Sequence, residues 1–116
     1  MSQSNIDNLV QRSKLLRQRN HSQALALLDE ALALASQENN QAVVATIIRE
    51  KAITHLEYNN YKQALTGFSE ALQFYKNLED VCGQLNCLYD IGHIYRKLSD
   101  IPSALRYILD ALKLNT

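Results

Sequence analysis

Three stretches decide the fold: NHSQALALLDEALALA from Asn20 to Ala35, NYKQALTGFSEALQFY from Asn60 to Tyr75, and DIPSALRYILDALKLN from Asp100 to Asn115. They align when the chain is laid on itself at an offset of 40 residues. Ala24, Ala64 and Ala104 coincide, as do Leu25, Leu65 and Leu105, then Ala31, Ala71 and Ala111, then Leu32, Leu72 and Leu112. Glu30, Glu70 and Asp110 share a position, and Leu28, Phe68 and Ile108 share one large apolar slot. Self-similarity at a fixed period of this length signals a repeat architecture in which each unit buries its apolar face only against the next.

Each coincidence has a mechanical meaning. Asn20, Asn60 and Asp100 are strong helix N-caps, and Gln23 and Gln63 follow the first two at capping-box spacing. Pro102 falls in the first turn of the third copy, where a missing N–H costs no helical bond. Small Ala on either side of a large apolar residue gives one helix face that a neighbouring backbone can approach closely. Upstream of each copy lies a second amphipathic stretch, at roughly 6–19, 41–58 and 81–98. In the last, Leu85, Leu88, Ile91, Gly92 and Tyr95 form an apolar stripe, and a mid-helix Gly, about 1 kcal/mol worse than Ala, implies a close helix crossing. Six helices of two alternating kinds, A and B, are therefore predicted, stacked as three antiparallel pairs.

Composition agrees and narrows the function. The 116 residues, 47% hydrophobic and 21% charged, suit one domain. Three Gly and one Pro leave little material for the turns of an all-β fold. Twelve Lys+Arg balance twelve Asp+Glu, so there is no cationic excess for nucleic acid or an anionic membrane. The N-terminal stretch lacks the apolar core of a secretory signal, and a cytoplasmic location is expected. Cys82 and Cys87 read as small packing residues. No Ser or Cys stands in a nucleophile-elbow context, no HExxH occurs, and no cofactor or metal is expected, so the chain reads as non-catalytic. Of the three imidazoles, His55 shares the slot of Tyr95 and His21 opens a B helix, both packing positions, which leaves His93.

The third unit, Leu88-x2-Ile91-Gly92-x2-Tyr95 followed by Ala104-x3-Ile108 and Ala111, resembles the tetratricopeptide repeat pattern W-x2-L-G-x2-Y, A-x3-F. The second unit offers Ile48, Lys51, Ala52, His55, Ala64, Phe68 and Ala71 at the same slots. The first matches well in helix B (Ala24, Leu28, Ala31) and poorly in helix A (Asn8, Gln11, Arg12, Leu15). The period exceeds the family norm of about 34, and the usual closing proline is replaced at Ser36, Lys76 and Thr116, so helix B should run longer.

The resemblance implies an all-α, right-handed α-solenoid: one domain over 1–116, with repeats at about 5–38, 41–78 and 81–115. It also implies a concave groove lined by the A helices that holds a protein or peptide partner, as part of a signalling or regulatory protein. The groove slots are Arg49, Glu50 and Ile53 in the second unit and Tyr89, Asp90, His93, Arg96 and Lys97 in the third. Neighbouring slots are Thr46, Leu56, Glu57 and Asn86, and, in the first unit, Ile6, Leu9, Val10, Ser13, Leu16 and Arg17. Glu50 and Asp90 would repel a C-terminal carboxylate, so a ligand carrying Lys or Arg, or a hydrophobic helix, is expected. The alternative is homo-oligomerisation: the sequence stops at Thr116 on the third helix B, so either more repeats follow in a longer protein or that face pairs with another copy as a homodimer.

Overall fold

The computed structural model describes residues 2–114, with side chains from residue 5. Six helices follow in order: α1 (Ser2–Leu16), α2 (His21–Gln37), α3 (Gln41–Glu57), α4 (Tyr61–Asn77), α5 (Val81–Lys97) and α6 (Ile101–Leu114). Each packs on the next in the chain, so three hairpins stack in one direction into a slab of 43 × 32 × 17 Å. The slots at Asn115 and Thr116 lie outside the described residues.

The internal joints are built alike. Asn39, Asn59, Glu79 and Ser99 take positive φ of 55–62°. In each case the residue after them donates to the carbonyl five positions back: Asn40 N to Ala35 O, Asn60 N to His55 O, Asp80 N to Tyr75 O and Asp100 N to Tyr95 O. These are Schellman closures, and the last residue of each closure also opens the next helix. Side-chain caps form at Asn20, Asn40, Asp80 and Asp100, each accepting from the amide three residues on. Asn60, expected to cap in the same way, makes no side-chain cap bond and accepts only through its backbone carbonyl, from Ala64 N. Glu79 carries a Cβ in left-handed backbone that costs an L-residue about 1–2 kcal/mol. Glu79→Gly is therefore expected to raise stability by about 0.5–1 kcal/mol and the melting temperature by a few degrees, with Asn39→Gly nearly neutral; a thermal scan checks both.

The repeated small residues are where the hairpins cross. Ala24, Ala31, Ala64, Ala71 and Ala111 are fully buried, and Leu28 and Phe68 fill the large slot between them at 0% exposure. Gly92 answers to the expected close crossing: a Cβ there would sit 3.4 Å from the Ala104 carbonyl and 3.2 Å from Ile108.

α1 departs from the pattern. It spans Ser2–Leu16 instead of the expected 6–19, because residues 17–19 form the turn, and Asn20 N bonds Leu16 O without a left-handed residue. Its buried residues are Ile6, Leu9 and Ser13, three of the positions assigned to the groove. They are packing residues instead, and Ser13 donates its hydroxyl to Val10 O at 2.6 Å.

Candidate partner-binding groove

The A helices α1, α3 and α5 are tied to one another by charge. Arg17 on the α1–α2 turn donates to Glu50 of α3 at 2.7 Å, with side chains only 12% and 9% exposed, and its Nε lies 3.6 Å from Glu57. One repeat on, Arg49 of α3 meets Asp90 of α5 at 3.2 Å. Burial raises the Asp90 carboxyl above its ordinary range, an effect the Arg49 guanidinium partly offsets. Of the expected groove residues, the structure thus joins Arg49 to Asp90, turns Glu50 onto Arg17, and sets His93 Nδ1 2.9 Å from Arg96.

Glu50 and Asp90, the residues expected to repel a C-terminal carboxylate, are both paired with arginines of the same protein. The cations around them are less engaged, since Lys14, Arg96 and Lys97 are exposed and make no ion pair among the described residues. Tyr89 is 45% exposed, and half-buried Ile53 floors a hollow of about 310 Å³ shared by Lys14, Arg17, Gln18, Glu50 and Glu57. Lys14 and Gln18 were not legible as site residues, because the register of α1 could not be read from a forty-residue offset that fails there.

The other titratable groups have structural surroundings. Burial pushes the Cys87 thiol up to about 12, so it stays protonated, in keeping with the packing role expected for it. His21 of α2 lies against Tyr58 at 4.2 Å and His55 at 5.6 Å between ring centres. Burial, then the neighbouring His21 and Lys51, lowers the His55 pKa against the pull of Asp29. Among the described residues no group of three His, Cys, Asp or Glu could hold a metal ion, and no helix is long and apolar enough to cross a membrane.

Three stacked antiparallel helix pairs with left-handed joints define a helical-hairpin solenoid. No protein-family model and no curated protein matches the chain. Among solved structures, the TPR domain of Arabidopsis FLU superposes with a TM-score of 0.85 at 17% identity, over 97% of this chain and 96% of that one. The chain therefore has the tetratricopeptide-repeat fold, a right-handed α-solenoid, as its residue pattern implied.

Proposed function

We propose that the chain is a non-catalytic interaction module, the binding arm of a regulatory protein, whose A-helix face holds a partner segment bearing acidic and apolar side chains. The observation that carries this reading is the imbalance on that face: its carboxylates Glu50 and Asp90 are neutralised internally, while Lys14 on α1, and Arg96 and Lys97 on the same helix as exposed Tyr89, make no ion pair among the described residues. An anionic segment gains Coulomb attraction there that a basic one forfeits, and a half-exposed Tyr supplies an anchor of the kind that dominates interfaces. Arrayed peptides of graded charge should show capture of acidic, apolar sequences with Kd near the micromolar level, about −8 kcal/mol, weakening with salt. Tyr89→Ala combined with Arg96→Glu and Lys97→Glu should remove capture and leave the helical circular dichroism unchanged. Undiminished capture by that variant places binding elsewhere.

A second reading, self-association through the third repeat, is favoured by one feature of α6. Ile101, Leu105, Leu109 and Leu112 form a stripe along three turns, each about half exposed at 49%, 54%, 54% and 49%. The position of Leu109 is held by exposed Asp29 in α2 and exposed Ser69 in α4, so the apolar face of α6 is wider than stacking a further hairpin requires. Ends that pair front to back would set this stripe on α1, whose outward Asn8, Gln11 and Arg12 are polar and exposed; pairing of α6 with α6 in a closed dimer fits better. Sedimentation should then show mass rising from 13.2 kDa toward twice that with concentration. Leu105→Glu with Leu109→Glu should hold the chain monomeric, and a wild-type chain that stays monomeric at about 1 mM ends this reading.

A further inference from the structure

Position by position, the second repeat lacks one thing that the third has. In the third, Tyr95 of α5 and Tyr107 of α6 stack with ring centres 5.5 Å apart and planes 10° from parallel. Forty residues earlier the same positions hold His55 and Gly67, so the ring on helix A is kept and the ring on helix B is missing. There the surface sinks into a hollow of about 580 Å³, walled by Leu32, Ile48, Ala52, His55 and Gly67 with Lys51 at its side. That volume lies within the range of small-ligand sites, about 300–1,000 Å³. In the first repeat Leu27 occupies the slot and is buried.

The missing ring follows from how the helices cross. A Cβ on Gly67 would lie 2.8 Å from the Ala52 Cβ, a contact that neither backbone can relieve cheaply. In the third repeat the position of Ala52 is Gly92, and a bulky Tyr107 is accommodated opposite, its Cβ 3.7 Å from where a Gly92 Cβ would be. Glycine on helix A goes with tyrosine on helix B; alanine on helix A goes with glycine on helix B.

We propose that the hollow is a binding site for a phenolic ring, stacked on His55 as Tyr107 stacks on Tyr95. The aliphatic wall of Leu32, Ile48 and Ala52 covers the ring; of the two lysines that line the hollow, Lys51 is already neutralised by Asp29 at 2.7 Å, and Lys62 shares the rim with Glu70. His55 carries a buried Nδ1 without a hydrogen-bond partner. The ring can come from a small phenol or from a tyrosine side chain of a partner; a flat hydroxylated ring is the shared chemistry.

The test titrates 4-methylphenol, and separately N-acetyltyrosinamide, into the isotope-labelled full chain and follows the Ala52 and Gly67 amides and the His55 ring by NMR. Saturable shifts at these groups in about the millimolar range are expected. Saturation by 4-methylphenol alone marks a small-phenol site, by the tyrosine amide alone a site for a partner's side chain, and by both recognition of the ring itself. No saturable shift from either probe, or an equal response to 4-methylcyclohexanol, which matches the size without the flat ring, overturns the proposal. Ala52→Gly with Gly67→Tyr writes the third repeat's pair into the second and should abolish the shifts at unchanged helical content. His55→Ala, which leaves the crossing untouched, should weaken binding about fivefold to tenfold, and undiminished affinity in that variant overturns the stacking.

Discussion

Phe68→Ala is expected to lower stability by about 3–5 kcal/mol, a large share of the roughly 5–15 kcal/mol that a domain of this kind possesses. At about 4 °C per kcal/mol, the melting temperature should fall by roughly 12–20 °C in a thermal scan. The size of the loss follows from position. Phe68 is fully buried and among the largest fully buried side chains, and it lies on α4 in the middle hairpin, which packs against both its own partner α3 and α5 of the next repeat. A cavity there cannot collapse without moving three helices at once. The equivalent Leu28 is also fully buried, and its truncation should cost about 2–5 kcal/mol. Ile108, in the third copy of the slot, is only half-buried, so Ile108→Ala should cost roughly half as much as Phe68→Ala. Equal losses at 68 and 108 would mean that α6 is covered in solution, which would speak for the self-associated form.

The contrast among these three residues shows what a repeat makes legible. An offset of 40 residues displays the slot, the small residues beside it and the N-caps, because every copy must solve the same packing problem with similar side chains. From that alone the number, order and kind of helices follow. The C-terminal ends of the helices are harder to read: the left-handed joints fall on Asn39, Asn59, Glu79 and Ser99, and with no glycine among them the usual marker of a helix stop is absent. The register of α1 escapes for a related reason. Its joint is a three-residue turn without a left-handed residue, so the copies fall out of step and Ile6, Leu9 and Ser13 look like surface positions when they are core. The repeat places the slots of the proposed groove along the A helices without showing how their charges pair. Arg17 reaches Glu50 over 33 residues and Arg49 reaches Asp90 over 41, and neither separation is the repeat period. Periodicity therefore locates these residues without saying that they spend their charges on one another.

Those cross-repeat pairs set up the second large effect. Arg17→Met is expected to cost about 2–4 kcal/mol, less than the roughly 3–5 kcal/mol of breaking a fully buried pair, because the two side chains keep 12% and 9% of their exposure. Most of that loss comes from the partner left behind: the Glu50 carboxylate, in a residue 7% exposed, is left without its hydrogen-bonded guanidinium in a place water reaches poorly. Glu50→Leu removes the charge itself and leaves a guanidinium that can still turn toward Glu57, 3.6 Å from its Nε, so it should cost less. The double variant should recover more than half of the Arg17→Met loss, giving a coupling of at least about 1 kcal/mol in a double-mutant cycle read from urea midpoints. Simple additivity would show that the two charges act independently in solution, and α1 would then be held to α3 by apolar packing alone. The backbone offers an internal control: the Arg17 carbonyl accepts from the Tyr58 hydroxyl at 2.7 Å whichever side chain stands at 17. Tyr58→Phe should therefore lose a similar amount in wild type and in Arg17→Met, separating what holds the turn from what holds the groove wall.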